Sequence, residues 1–279
     1  MLVQLCCYLN LVLNNLLKIK VNETYQEYIN RVAQLTLPGT CSNQLKSIQT
    51  SPKFVEGKAV AFPGYTVMTP TSEDDTLNQK FYHQIQLIQQ SIVQQTEPGF
   101  IIPVSPSSFH FTLADLIWDD SYRQAVKKKP QFETELQQQI SHSFQEYKNT
   151  TEYREPIQWQ LLGISIRPRA IMASLAPTDR ASYQAIVDLR RCIYQNADLI
   201  ALGIEQQYDF TAHITLGYFD RISDNLNRSE ICVIISQISD RLLEGEPAII
   251  TVNQAQLRKF DNMLNYYRQP DWTAISLTN

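Results

Sequence analysis

Two stretches of the chain, HFTL at 110–113 and HITLGYF at 213–219, decide how the rest of the sequence is interpreted. Both are rich in β-branched and aromatic residues and have the alternating pattern of a strand with one buried face. Residues two apart on a strand point the same way, so the histidine and the threonine of each stretch share a face. Their neighbours are apolar and suit a core. Each predicted strand therefore has an apolar back and a front that carries one imidazole and one hydroxyl.

The pattern of His110 with Thr112, and of His213 with Thr215, indicates a paired catalytic site. The chain contains only four histidines, and two of them stand in this pattern. Imidazole titrates near neutrality and can both accept and donate a proton, which suits the cleavage of a phosphoester. Threonine hydroxyls can donate hydrogen bonds to the non-bridging oxygens of a phosphate. Either histidine can be the base while the other is the acid, because the roles exchange with the direction of reaction.

The order of predicted elements around the two motifs suggests an internal duplication. A strand, a helix, a strand with His-x-Thr-Leu, a helix and a further strand follow each other twice. The predicted strands cover 59–70, 100–118, 157–166, 169–176 and 210–219. The predicted helices cover 77–92, 130–148, 182–195 and 231–242, and a predicted hairpin covers 248–269. Two such units facing each other would bring the two histidines together.

Composition narrows the class of protein. With 279 residues, of which 43% are hydrophobic, the chain can bury a sizeable core. A formal net charge of -4 argues against an extended nucleic-acid surface or an anionic-membrane surface. The five cysteines are odd in number and form no Cys-x-x-Cys pair, so neither a zinc site nor a disulfide framework is expected. We expect a cytoplasmic protein.

The N-terminal part differs from the remainder. The first twenty residues are apolar, with leucines at helical spacing, and predict a docked amphipathic helix, with a membrane-surface role as the alternative. Asparagines interrupt the apolar run, so neither export nor a membrane span is expected. We assign 1–56 to an N-terminal helical extension and 57–279 to a domain of two lobes.

The two motifs also carry a resemblance to a known family. Over about residues 57–275 the sequence resembles the two-histidine (2H), or LigT-like, phosphoesterase superfamily. The segments that make this resemblance specific are HFTL and HITLGYF. FPGYTV and FDNMLNYYR are similar to a poorly characterised bacterial branch, DUF1868. The resemblance implies an α+β, bilobal fold, in which two pseudo-repeated lobes with antiparallel-rich sheets face a central cleft and helices lie outside.

The resemblance also implies roles for residues. His110 and His213 would act as acid and base, Thr112 and Thr215 would bind phosphate, and neither a metal nor another cofactor would be required. Aromatic side chains that could stack on a nucleobase, or serve only as core or rim residues, are Tyr65, Tyr218 and Phe260. Strict alternation from His213 places Tyr218 on the core side of its strand, unless Gly217 breaks the register.

Two functions remain open at this stage. The first is a hydrolase that opens a cyclic phosphodiester or cleaves a 2'-linked nucleotide or oligonucleotide. This substrate would be its only partner. The second is a non-catalytic module that binds a nucleotide or an RNA end in the same cleft. A histidine-triad hydrolase is excluded by the absence of His-x-His-x-His, and a P-loop enzyme by the absence of GxxxxGK[ST]. We expect a monomer that does not bind membranes.

Overall fold

The computed structural model describes residues 23–151 and 155–277, so the helix expected in the first twenty residues lies outside the described residues. In the described ranges the helices are α1 (Tyr25–Thr36), α2 (Pro38–Lys46), α3 (Gln79–Gln95), α4 (Asp119–Lys128), α5 (Phe132–Thr150), α6 (Arg180–Tyr194), α7 (Ala197–Ala201) and α8 (Arg228–Glu244). The strands are β1 (Phe54–Val55), β2 (Lys58–Ala59), β3 (Gly64–Met68), β4 (Ile101–Pro103), β5 (Thr112–Trp118), β6 (Gln158–Arg167), β7 (Ala170–Pro177), β8 (His213–Phe219), β9 (Ile249–Thr251), β10 (Gln254–Asn262), β11 (Asn265–Tyr267) and β12 (Ala274–Ser276).

The strands form two antiparallel sheets of five strands and a small hairpin. The first sheet has the order β11-β10-β3-β5. Strand β11 pairs with the C-terminal part of β10, and β12 pairs with its N-terminal part. The second has the order β4-β8-β7-β6-β9. Strands β1 and β2 pair with each other. The expected α+β fold with two antiparallel sheets is therefore confirmed.

The duplication is visible in the strands that carry the two motifs. In one half the chain runs from β3 through α3 and β4 to β5, and β3 pairs antiparallel with β5. In the other half it runs from β7 through α6 and the short α7 to β8, and β7 pairs antiparallel with β8. Each histidine motif thus lies at the start of a strand that returns, after a helical connection, to pair with the first strand of its half.

The predicted strand over 100–118 is wrong as a single element. It divides into β4, which joins the second sheet beside β8, and β5, which joins the first sheet. Between them, Pro106–Ser108 forms a turn of 3-10 helix. The N–H of Val104 still donates to the carbonyl of Leu216 in β8 at 3.2 Å, and Pro106, which lacks an N–H, begins the turn that ends the ladder. His110 consequently lies in the segment that leads into β5 and not within the strand itself.

Helix α1 fastens the N-terminal extension to the second sheet. Thr24 and Glu27 form a capping box that satisfies free N–H groups at the start of the helix. Tyr28, on the buried face, is fully buried and packs edge-on against Trp159 of β6. Its hydroxyl donates to the carbonyl of Leu175 at 3.1 Å and accepts from the N–H of Ala212 at 3.0 Å. Through Tyr28 the extension is thus hydrogen-bonded to β7 and to the residue that precedes β8.

One expectation about the cysteines is also wrong. Cys41 of α2 and Cys232 of α8 form a disulfide, with Cα atoms 5.7 Å apart. The two cysteines are 191 residues apart in the chain, so no local spacing could signal the pair. Cys192 is free. A disulfide is uncommon in the reducing cytosol, and the cytoplasmic location stays a prediction.

None of the helices within 23–151 and 155–277 is long and apolar enough to cross a membrane.

Candidate active site

A cavity of about 860 Å³ lies between the two sheets. Side chains of β3, β5 and β10 line it from the first sheet, and side chains of β7 and β8 from the second. Both histidines and both threonines of the two motifs are among its lining residues: His110, Thr112, His213 and Thr215. The expectation that duplication brings the two motifs together is therefore met.

The two imidazoles are held in the same way. Nδ1 of His110 lies 2.7 Å from the carbonyl oxygen of Ser108, and Nδ1 of His213 lies 2.7 Å from the carbonyl oxygen of Thr211. A carbonyl oxygen only accepts, so in each neutral ring the proton is on Nδ1 and Nε2 is left as an acceptor. In both halves the partner is the carbonyl two residues before the histidine. The site thus has two Nε2 atoms available to act as a base, or as an acid once protonated.

Burial controls the charge of both histidines. Burial, which removes the ring from water, is the main cause that lowers the pKa of His110 to about 4. The hydrogen bond to Ser108 acts to raise this pKa, and the neighbouring His213 acts to lower it. Burial also lowers the pKa of His213, again opposed by a backbone hydrogen bond. The positive charges of Arg167 and Lys53 lower it in addition, whereas Asp115 raises it. His110 is therefore neutral at pH 7.

Irregular pairing brings an unexpected carboxylate into the cavity. Asp115 lines the cavity together with Thr112, although strict alternation would place residues three apart on opposite faces. The pairing of β3 with β5 shifts register twice, once on each side of Asp115. The hydroxyl of Tyr208 donates to Asp115 at 2.6 Å. A charged residue at a position that alternation assigns to the core was the available signal for this bulge.

A bulge also turns Tyr218 toward the cavity. In the pairing of β7 with β8 the register shifts between Thr215 and Gly217, which leaves Leu216 as the extra residue. Tyr218 consequently lines the cavity, and Phe219 stacks on Phe100 in the core with ring centroids 5.0 Å apart. The assignment of Tyr218 to the core side by strict alternation is wrong, and a break of register at this point accounts for it.

The other two predicted aromatic residues separate. Phe260 of β10 lines the cavity. Tyr65 does not, because it neighbours the cavity-lining Thr66 on β3 and points to the other face of the sheet. There its ring packs against Tyr122 and Trp272 and is only 1% exposed. The structure corrects the assignment of Tyr65 to substrate binding.

Several cavity residues come from parts of the chain that carry no motif. Lys53 lies with its ammonium 5.2 Å from the centre of the Tyr218 ring. Arg31 of α1 and Arg167 at the end of β6 also line the cavity. Tyr266 of β11 places its ring 4.5 Å from the imidazole of His110, centre to centre. Sequence reasoning missed all four, because they come from remote parts of the chain: the folded extension, the end of β6 and the C-terminal hairpin.

Two basic residues near the tail are occupied elsewhere. Arg258 is buried and forms an ion pair with Asp74, and Lys259 forms one with Glu133 at 2.6 Å. Neither adds an unpaired cation to the cavity. In the described part of the chain, no group of three or more His, Cys, Asp or Glu side chains could hold a metal ion.

Comparisons with known proteins place the fold. No protein-family model and no curated protein matches the chain. A conserved protein of unknown function from Agrobacterium tumefaciens, ATU0111, is similar in structure with a TM-score of 0.56 and 14% identity, over 78% of this chain and 90% of that chain. At this identity the likeness shows a common fold.

Escherichia coli LigT in complex with 3'-AMP is also among the matched structures. It has a TM-score of 0.43 and 15% identity, over 77% of this chain and 98% of that chain. A phosphoesterase matches with a TM-score of 0.44 and 15% identity, over the same shares of 77% and 98%.

Proposed function

We propose that the chain is a phosphoesterase that hydrolyses a cyclic phosphodiester or a 2'-linked nucleotide or oligonucleotide by paired-histidine acid-base catalysis, without a metal ion. One observation carries the proposal. Two His-x-Thr motifs from separate sheets line one cavity, and each imidazole is held through Nδ1 by the carbonyl two residues before it. The sequence resemblance to 2H phosphoesterases points the same way.

The arrangement supplies the groups that hydrolysis needs. The phosphorus sits between the two imidazoles, and the hydroxyls of Thr112 and Thr215 donate to its non-bridging oxygens. Nε2 of one histidine takes a proton from water while the water oxygen bonds to phosphorus. The bond from phosphorus to the leaving oxygen breaks, and the other histidine, protonated, gives its proton to that oxygen. The products are a phosphomonoester and a free hydroxyl group.

The lowered pKa of each histidine sets a condition on this scheme. One imidazole has to be protonated to act as the acid, yet burial favours the neutral form in the free protein. The phosphodiester carries a negative charge, and an anion within a few ångströms raises the pKa of an imidazole. Substrate thus brings about the protonated form that the reaction uses.

A panel of 2',3'-cyclic nucleotides, cyclic dinucleotides and 2'-5' adenylates tests the proposal. We expect turnover of at least one member in the presence of EDTA, with a bell-shaped dependence of kcat/KM on pH. Replacement of either histidine, in His110→Ala or His213→Ala, should lower kcat by about 10² to 10⁴. His83→Ala, at an exposed position on α3, is the matched control and should leave the rate unchanged.

Two results would contradict the proposal. Turnover that EDTA abolishes and that survives in both alanine variants would show that the paired imidazoles are not the catalytic groups. If no member of the panel is hydrolysed but a 2'-nucleotide binds equally to wild type and variants, the cleft belongs to a non-catalytic binding module.

A further inference from the structure

Two guanidinium groups and one catalytic-site imidazole converge on a single residue, Thr211. Its hydroxyl accepts from Nη1 of Arg31 at 2.9 Å and from Nη2 of Arg167 at 3.2 Å. Its carbonyl oxygen is the group that holds Nδ1 of His213. The side chains of Arg31 and Arg167 both line the cavity. A patch of positive charge therefore adjoins the His213 side of the site.

The two arginines differ in how their charges are balanced. Arg31 forms a two-pronged ion pair with Glu23, through its Nε and Nη2 atoms, each at 2.6 Å. Arg167 has no ion pair with any residue in 23–151 or 155–277, and the neighbouring charge of Arg31 helps burial to lower its pKa. A half-buried cation that shares one hydroxyl with a second cation is costly to keep, since like charges repel and burial removes water. Arg167 is thus suited to an anionic ligand.

A second cation faces the same part of the cavity. The ammonium of Lys53 lies 4.6 Å from the centre of the Phe62 ring and 5.2 Å from that of Tyr218. Both Lys53 and Arg167 act electrostatically on His213. No carboxylate in the described ranges forms an ion pair with Lys53. The cavity wall near His213 therefore carries two cations for which the described ranges supply no ion-pair partner.

The position of Arg167 separates it from the group that reacts. Thr211 precedes His213 by two residues, and the chain between them runs beside β7, where the Leu175 N–H donates to the Ala212 carbonyl at 2.9 Å. Two residues of extended chain span about 7 Å. A phosphate held between the two imidazoles thus lies about two residues along the chain from the Thr211 hydroxyl that Arg167 binds. The guanidinium of Arg167 is therefore placed to contact a part of the ligand other than the phosphate that is cleaved.

We propose that Arg167, supported by Lys53, forms a subsite for a second phosphate group, so that the substrate carries a phosphate besides the one that is cleaved. The substrate class is then a phosphorylated nucleotide or a short oligonucleotide, and not a nucleoside cyclic phosphate alone. The planar fork of arginine matches two oxygens of a phosphate. This inference rests on the proposed function for the identity of the cleaved group.

Paired ligands that differ by one phosphate test the subsite. In a titration calorimeter, adenosine 2',5'-bisphosphate should bind the wild-type protein about ten-fold or more tightly than adenosine 2'-monophosphate, since a charge-assisted hydrogen-bonded pair is worth that much. In Arg167→Gln the advantage of the bisphosphate should fall to about two-fold, because its second phosphate loses the guanidinium. Arg180→Gln, at an exposed position on α6, is the matched control and should keep the full advantage.

The same comparison can be made with reacting ligands. Adenosine 2',3'-cyclic phosphate with and without a 5'-phosphate should differ in KM and not in kcat, and Arg167→Gln should remove that difference. Equal affinities of the two ligands for the wild type, or an equal loss for both in Arg167→Gln, would overturn the subsite. Absence of turnover with a retained bisphosphate advantage would instead contradict the proposed function and leave the subsite supported.

Discussion

At each histidine a single backbone carbonyl decides which nitrogen faces the cavity. Ser108 and Thr211 perform this task at equivalent positions of the two halves. The pairs His110 with Thr112 and His213 with Thr215 were predictable from the sequence, because alternation in a strand depends on local spacing alone. The carbonyl partners were not, since they depend on how the chain enters each strand.

The lowered pKa of the two histidines predicts proton uptake on anion binding. At pH 6 the His110 ring is largely neutral because burial lowers its pKa to about 4. Burial lowers the pKa of His213 as well, and a bound sulfate would raise the pKa of at least one of the two rings. Calorimetric titration of sulfate at pH 6, in two buffers with different protonation enthalpies, should show uptake of about half a proton or more per site. The double variant His110→Gln, His213→Gln should show none. Equal enthalpies in both buffers for the wild type would contradict the prediction.

The low pKa of His110 also predicts a loss of stability in acid. Its pKa is about 4 in the folded chain, against about 6.5 when unfolded. Between these values the unfolded chain binds more protons, so the free energy of unfolding falls as the pH drops from about 6.5 to about 4 and levels off below. We expect His110→Gln to remove on the order of 2 kcal/mol of this pH dependence, as measured by urea unfolding from pH 7 to pH 4.

The exposed histidine of α3 gives the control for this series. His83→Gln should retain the pH dependence of the wild type. If His110→Gln and His83→Gln gave the same slope, burial of the His110 ring would not be what lowers stability in acid.

Among the elements, bulges in β5 and β8 determine which side chains reach the cavity. Most helices and strands were predictable, because their apolar positions recur at the spacing of a helix or a strand. The bulges that bring Asp115 and Tyr218 to the cavity were not predictable. The position of each extra residue depends on pairing with the neighbouring strand and not on the local sequence. Helix α4 was missed as well. Its exposed, charged sequence has one buried residue, Tyr122, and so lacks an apolar stripe.

Gly217 gives a test at this level. A Cβ atom on Gly217 would lie 2.6 Å from Cγ2 of Ile101 and 2.7 Å from the carbonyl oxygen of Ile102 on the adjacent β4. Gly217→Ala should therefore destabilise the fold by about 1 to 3 kcal/mol through overpacking, as measured by urea unfolding. Gly39→Ala, where nothing lies within 4 Å, should cause no loss, because alanine favours the helix. A Gly217→Ala variant as stable as Gly39→Ala would show that β4 can move away.

On the scale of the whole molecule, segments distant in the sequence complete one site. The N-terminal extension supplies Arg31 and Lys53, and the C-terminal hairpin supplies Tyr266. Strand β4 leaves its own half to pair with β8, and β10 returns to pair with β3. Sequence alone could not predict these exchanges, because pairing between remote strands leaves no mark in local periodicity.

The disulfide between Cys41 and Cys232 predicts a redox-dependent stability. A crosslink between residues so far apart restricts the unfolded chain, and its removal should cost about 2 to 5 kcal/mol. The measurement is urea unfolding with and without a reductant. The variant Cys41→Ser, Cys232→Ser should match the reduced wild type and no longer respond to reductant. Cys192→Ser, which removes a thiol outside this bond, should behave as the wild type. An unchanged midpoint on reduction would contradict the prediction.

The position of that bond has a consequence for proteolysis. The exposed segment 205–209 lies between the two cysteines in sequence and also between His110 and His213. A protease that cut there once would place the two histidines on separate polypeptides, yet the sulfur bond would keep the polypeptides together. Nicked protein would then migrate as one band on a non-reducing gel and as two bands after reduction.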